Sequence, residues 1–329
     1  GFDSEHSNLG IGYRALGGAI AGGEYNVSIG NSSGLALTSG DANTFLGYYA
    51  GSAITTGEHN IIIGYQAGLA LTTADKCVFI GTSAGDGHDT EDHNLGIGFG
   101  ALGGSVAGGE YNVCVGNYAG DAITSGDDNV IIGYNTGDAL TTGGDNTFVG
   151  KNAGSGVTSA SNCVLIGEAS GFDGLRSTTT GDGDIVVGNN SNANAFVKVS
   201  WNVGSDMRDK TDIENLPSAA GLNFINQIRP VTYVWDNRDN YYPHTHEKYG
   251  ERDHSKKSTQ VHTGFVAQEI KELEKSIGWE DDHIVNTSDE KSFTLQYDRF
   301  VPSLVKAVQE LSAEVTTLKQ EINTLKEGK

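Results

Sequence analysis

Proline is scarce and unevenly placed: the 329 residues hold four, Pro217, Pro230, Pro243 and Pro302, all after Ser205. Cysteine is scarce too. Cys77, Cys114 and Cys163 are an odd number without CxxC spacing, which gives neither a disulfide framework nor a zinc site; that fits maturation in a reducing cytosol and leaves secretion open. No apolar run approaches the length of a membrane span, and no signal-peptide pattern is visible. The opening residues GFDSEH lack a methionine, so a fragment of a longer protein is expected. Positive charge is the remaining shortage, with 21 Lys/Arg against 42 Asp/Glu for a net charge of −21. Residues 1–204 hold 5 Lys/Arg against 20 Asp/Glu, leaving −15, and the remainder carries −6. Duplex nucleic acid and anionic membrane both need clustered cations. Neither is an expected partner, and the acidic face reads as a solubilising surface.

What the first part has instead is glycine. Of 47 glycines, about twice average usage, 42 precede Ser205. Two halves punctuated so differently are not expected to share one core. The glycines repeat: an aliphatic-Gly pair recurs at Gly12, Gly30, Gly47, Gly64, Gly81, Gly98, Gly116, Gly133, Gly150 and Gly167, in steps of 17 or 18 residues, with a degenerate copy at Gly188. An aliphatic residue precedes each Gly, and the third residue before it is Leu, Val, Ile or Thr, as in NIIIG (60–64). That alternation predicts a short strand whose −3 and −1 side chains share the buried face. A small residue follows at +3 (Ala50, Ala67) and an aliphatic one at +7 or +8: Ile20, Leu37, Ile54, Leu71, Val106, Ile123, Leu140 and Val157. The pattern predicts two short strands per unit joined by glycine turns, with the repeated Gly at a positive φ or a close backbone approach.

A longer period overlies the short one. NLGIGYRALGGAIAGGEYNV from Asn8 returns as NLGIGFGALGGSVAGGEYNV from Asn94, 86 residues on. Cys77 and Cys163 are also 86 apart, each replacing the Asn that eight other units carry four residues before Gly, which makes them rung residues. Five rungs were duplicated, giving super-repeats 8–93 and 94–180 and a transition 181–204. A rung of 17 residues cannot bury its apolar stripe alone, so it must stack on neighbours or wrap with other chains. A single-chain left-handed β-helix lacks its hexapeptide period here. Units such as NTFLGYYAGSAITTG resemble the repeats of trimeric viral fibres and the heads of trimeric autotransporter adhesins. That resemblance implies an all-β elongated shaft of three intertwined chains over residues 1–204.

Beyond Lys210 the pattern is α+β. LPSAAGLNFINQI (216–228) predicts a short helix with Ser218 as N-cap, and VTYVW (231–235) predicts a strand. After a polar loop, HTGFVA predicts a strand, QEIKELEKSI a helix, SFTLQY a strand, and 298–327 a long closing helix. On that helix Leu304, Val308, Leu311, Val315, Leu318, Ile322 and Leu325 alternate steps of 4 and 3, a heptad with β-branched a and Leu d. The spacing predicts a parallel coiled coil. Since these residues alone favour two strands, a trimer must be imposed by the rest of the chain. One amphipathic helix packed on its own domain is the alternative.

SDMRDK (205–210), GLNFINQIRPVTYVW (221–235), GFVAQEI (264–270) and LQYDRFVPSLVKAVQEL (295–311) stand in the order and spacing of a known family. Residues 205 to about 311 resemble the endosialidase-type intramolecular chaperone auto-processing domain, found at the C-termini of phage tail spikes and fibres and in myelin regulatory factor. The resemblance implies a domain over 205–329 that assists trimeric folding of the preceding shaft and then cuts itself off. It makes Ser205 and Lys210 the catalytic dyad of a single-turnover serine endopeptidase, acting in cis or within the trimer, with the scissile bond between Gly204 and Ser205.

The chemistry is sound. A serine hydroxyl needs a base to take its proton, and a lysine serves only when desolvation or a nearby cation lowers its basicity; Arg208 is a candidate cation. Ser205 Oγ lies beside the Gly204 carbonyl at high effective concentration, giving an ester that water resolves, and Gly204 has no side chain to obstruct it. Asp209 departs from the family pattern, where an apolar residue is common, and a carboxylate beside Lys210 favours the charged amine. Alone, SDMRDK also reads as a turn or helix cap.

Other candidates are weaker. His244, His246, His254 and His262, with Glu247 and Asp253, lack zinc-site spacing and read as a solvated loop; GGDNTF and GDGDIVVG lack the calcium nonapeptide period. No metal or cofactor is expected. The whole predicts the C-terminal part of a phage-like tail fibre or spike, a homotrimer assembled in the host cytoplasm, located in the virion and directed at a host-surface receptor or glycan. The alternative is a structural or adhesive trimer whose last domain assembles it without proteolysis. A membrane-tethered transcription factor with the same domain would need a basic DNA-binding region and a span, which these residues lack.

Overall fold

The structure is a computed structural model that describes residues 7–105, 108–171, 182–189, 205–238, 241, 247–248, 250–279, 283–287 and 293–327. Val106, His244, His246 and Gly204 lie outside the described residues. The chain divides into two compact units, Gly1–Ala193 and Asn194–Lys329.

The first unit carries one three-residue strand per rung: Leu9–Ile11 (β1), Val27–Ile29 (β2), Thr44–Leu46 (β3), Ile61–Ile63 (β4), Val78–Ile80 (β5), Leu95–Ile97 (β6), Val113–Val115 (β7), Val130–Ile132 (β8), Thr147–Val149 (β9), Val164–Ile166 (β10) and Ile185–Val187 (β11). Each pairs in parallel with the next, in chain order, and like positions face like: Phe45 lies opposite Ile62, and Ile62 opposite Phe79. The rungs therefore form a parallel β-solenoid within a single chain. Two expectations change. The units hold one strand, not two, because the residues after each rung glycine form turns through left-handed positions such as Gln66 (φ 55) and His59 (φ 59). The stripe is buried by neighbouring rungs of the same chain rather than by intertwined chains, since the backbone of each rung already bonds to the next, as in Gly68 N to Ala84 O at 2.9 Å and Thr55 N to Thr72 O at 2.8 Å.

A third correction concerns the strand face. The buried residue is the central one, two before the glycine: Phe45, Ile62, Phe79, Cys114, Ile131, Phe148 and Leu165 are fully buried. The −3 and −1 side chains point the other way. Side chains alternate along a strand, so the inward Asn at −4 and the central residue share a face that excludes −3 and −1. Small residues such as Ala50, Ala67 and Ala84 and the aliphatics Leu37, Ile54 and Leu71 complete the interior.

Both reasons offered for the repeated glycine hold at once. Gly64 has φ +143, and a Cβ there would sit 2.2 Å from the Gly81 carbonyl oxygen of the next rung. The Asn column is a ladder: Asn43 Oδ1 accepts from the backbone N (3.0 Å) and Nδ2 (3.1 Å) of Asn60, whose Nδ2 also donates to Ala74 O at 2.7 Å. Cys77 takes an Asn position with its thiol in the amide's place, Sγ lying 3.2 Å from Glu91 O. All three cysteines are free and buried, and burial pushes the Cys77 thiol up to about 12. They are interior rung residues.

In the second unit a 3-10 turn, Ser218–Ala220, leads into α1 (Leu222–Gln227). Strands β12 (Val231–Val234) and β13 (Val261–Gly264) pair antiparallel, α2 spans Ala267–Ser276, β14 (Val285–Asn286) pairs with β15 (Thr294–Leu295), and α3 runs Phe300–Glu327. Phe224, Ile270, Ile284, Val285 and Phe300 form the core, with Trp279 against Phe224 at 5.8 Å between ring centroids. Ser218 does not cap the helix. The Leu222 amide instead donates to Glu310 Oε2 at 2.8 Å, so α3 supplies the partner that α1 lacks locally.

Candidate functional site

Asp206 organises the start of the second unit. Its Oδ1 accepts the Arg208 amide at 2.9 Å and so caps a single 3-10 turn, Met207–Asp209. Backbone bonds from Asp209 N to Asp206 O and from Lys210 N to Met207 O, both 3.2 Å, close that turn. Reversing the chain over these residues brings Lys210 Nζ to 2.7 Å from Ser205 Oγ. The two residues singled out by spacing are thus in hydrogen-bond contact, and the contact is local: one turn makes it.

The electrostatics differ from expectation. Arg208 Nε lies 3.1 Å from both carboxylate oxygens of Asp206, and this pairing holds the Asp206 carboxyl below the usual carboxylate range. Its charge is therefore committed to Asp206 and is not a spare cation for Lys210. Lys210 turns to Ser205 rather than to Asp209. Every residue from Ser205 to Lys210 is exposed. Within one chain Lys210 Nζ donates to the serine hydroxyl; proton transfer the other way, from hydroxyl to amine, needs a neutral amine to act as base.

Two further features bear on assembly. On α3 the residues packed on the unit's own core are Phe300, Ser303 and Ala307, whereas the heptad residues Leu304, Val308, Leu311, Val315, Leu318 and Ile322 are all exposed. The helix packs at home through one face and leaves the coiled-coil face bare. Sequence reasoning found the heptad but not the second face, whose Ser and Ala carry little hydrophobic signal. The polar loop is tied to Asp236, which accepts from Tyr241 Oη at 2.7 Å and contacts His254 Nδ1 at 2.6 Å. His254 lowers the Asp236 carboxyl through this hydrogen bond. His262 lies on β13, its ring 5.7 Å from that of Tyr233. Among the described residues no group of three His, Cys, Asp or Glu is arranged to hold a metal ion, and no helix is long and apolar enough to cross a membrane.

Residues 205–278 match the family model described as chaperone of endosialidase, Peptidase_S74. The match begins at Ser205 itself and extends through α2. The second unit thus carries an endosialidase-type chaperone domain, a C-terminal assembly domain of the kind that serves tail fibres and spikes. Comparison with curated proteins and with solved structures returns no match.

Proposed function

We propose that this chain is the C-terminal part of a phage-like tail fibre or spike, whose last domain assembles three copies and then severs itself between Gly204 and Ser205. The observation that carries the reading is the 2.7 Å contact between Lys210 Nζ and Ser205 Oγ at the first residue of the family match. In this mechanism Lys210 takes the proton of Ser205, Oγ attacks the Gly204 carbonyl carbon, and the C–N bond breaks as the new α-amine of Ser205 takes a proton. The resulting ester joins Gly204 to the Ser205 side chain, and water hydrolyses it to a Gly204 carboxylate and a free hydroxyl.

The turn is exposed and Arg208 is already paired, so the covering that turns Lys210 into a base comes from a neighbouring copy. Cutting is thereby coupled to assembly. A host-surface receptor or glycan is the target of the fibre, and the virion its place. Mass measurement on the expressed chain tests the reading: two fragments meeting at Gly204 and Ser205, and a single intact chain for Ser205→Ala. An uncut chain from the unaltered sequence, assembled into trimers, overturns the proteolysis. That outcome would favour the second reading, an assembly domain without cleavage, to which the full exposure of the dyad and the carboxylate of Asp209 lend support.

A further inference from the structure

The two super-repeats meet between His93 and Asn94, where the fifth rung carries the sixth, and three columns of the solenoid are interrupted there. The Asn ladder is the first. Asn43, Asn60, Asn112, Asn129 and Asn146 each send a backbone N–H and a side-chain N–H to the Asn Oδ1 of the rung below, as Asn112 does to Asn94 at 2.9 and 3.3 Å. Asn94 instead finds the thiol of Cys77 below it, a weak acceptor. The central column is the second: Phe79 lies opposite Gly96, which brings no side chain to the pair. In the third, the aliphatic column, stands His88, fully buried with neither ring nitrogen hydrogen-bonded.

One added contact crosses the boundary. Glu91 stands where other rungs have Gly40, Gly57, Ala74, Gly126 or Gly143. Its buried carboxylate accepts the Asp89 and Thr90 amides of its own rung at 2.9 and 3.1 Å, and its other oxygen accepts the Gly108 amide of the next rung at 3.1 Å.

We infer that this junction is a proton-released joint, at which the solenoid opens between its two super-repeats while the rungs on either side stay stacked. Strand bonds such as Val78 N to Asn94 O at 2.9 Å still cross it, but the side chains that reinforce the other junctions are replaced by an imidazole that must stay neutral and a carboxylate that must stay charged. Burial lowers His88 from 6.5 to about 4. Burial alone would raise the Glu91 carboxyl, yet its amide bonds together hold it below the usual carboxylate range. Both groups therefore hold the joint at neutral pH and release it as pH falls, His88 from pH ~6.5 downward and Glu91 from about its ordinary 4.5. From the sixth rung the Leu102 backbone faces His88 without bonding it. Asp89 and His93 lie on the fifth rung, and Asp75 and Asp92 stand beside Cys77. Burial raises the carboxyls of Asp86, on the same rung, and of Asp121, two rungs on, so acid relieves these two and opposes the opening. The Cys77 thiol, pushed up to about 12, stays neutral throughout.

Hydrogen exchange read by mass spectrometry on the full chain tests the joint. Peptides covering 78–100 report Val78, Gly85, Gly98 and Gly100, whose amides bond across it; peptides covering 44–66 report Thr44, Gly51, Gly64 and Gln66, which bond between the third and fourth rungs. Rates are divided by those of an unstructured chain at each pH. Between about pH 7 and about pH 4.5 the expected loss of protection across the joint exceeds that at the third rung by about tenfold or more, and His88→Leu removes most of the difference. Equal losses at both junctions in the unaltered chain overturn the joint. So does a difference that His88→Leu, with an unchanged circular dichroism spectrum, leaves in full. The first comparison needs no variant, so a substitution that fails to fold does not shield the proposal.

Discussion

In the solenoid, Phe45, Ile62 and Phe79 occupy successive strand centres and are fully buried by rungs of their own chain; on α3, Leu311, Val315 and Leu318 recur just as regularly and stand 41–56% exposed. Both are periodic apolar columns. One closes on itself because a 17-residue step returns the backbone above the previous rung. The other cannot, because a helix rises along its axis and never meets its own side chains again. The first unit therefore satisfies its interior in one chain, whereas the second leaves the heptad and the Ser205–Lys210 turn exposed. Stability of the chain and competence of the assembly are separate quantities, and substitutions should separate them.

The largest effect is expected where backbones touch. Gly64→Val adds a side chain at φ +143 against the Gly81 carbonyl and should cost more than about 4 kcal/mol, abolishing the cooperative thermal transition of the solenoid followed by circular dichroism. In the second unit Gly250→Val, also at positive φ but with open space around it, should cost less, about 1–3 kcal/mol of backbone strain.

Next comes a matched pair. Ile62→Ala, inside the solenoid, should cost about 3 kcal/mol without changing oligomeric state. Leu318→Ala should leave single-chain stability within about 0.5 kcal/mol and weaken assembly measured by sedimentation. Equal effects of both on assembly would erase the distinction between the two columns.

A smaller effect tests a flaw in the closed column. In the fifth rung the interior aliphatic position is held by His88, fully buried, beside Phe79 at 5.0 Å, with both ring nitrogens unpartnered. Burial lowers it from 6.5 to about 4, against the opposing pull of nearby Glu91, itself 4% exposed. The unfolded chain then binds the proton more readily. Stability contributed by neutral His88 is complete above pH ~6.5 and drains away as pH falls through about 4. His88→Leu should stabilise the solenoid by about 2 kcal/mol at pH 7 and flatten its pH dependence between those values.

The smallest concerns the Asn ladder. Cys77 keeps the ladder bond from below, its backbone N–H donating to Asn60 Oδ1 at 2.9 Å, but its sulfur is a poor acceptor for the next rung. Cys77→Asn should add about 1 kcal/mol, read as a raised unfolding midpoint; a lowered midpoint would mean the thiol fits its site better than the amide it replaces.

The glycine column, rung length and family motifs could be read directly because each depends on residues a short, constant distance apart. The Ser205–Lys210 contact was legible for the same reason, since the turn that makes it lies between its partners. The strand face was not. In rungs such as NIIIG all three strand residues are aliphatic, so alternation carries no sign, and the inward Asn at −4 sets it. The cap on α1 was hidden as well, because Glu310 reaches Leu222 from 88 residues away.

What the sequence by itself determined is therefore periodic or local: a repeat needing glycine where backbones approach, a heptad, and a serine and lysine five residues apart. Which side of each strand is interior, whether a rung is covered by its own chain, and which face of α3 packs at home were decided only by tertiary structure. Those choices depend on surfaces that come together across many rungs or many tens of residues, and an apolar residue carries no mark of which neighbour will bury it.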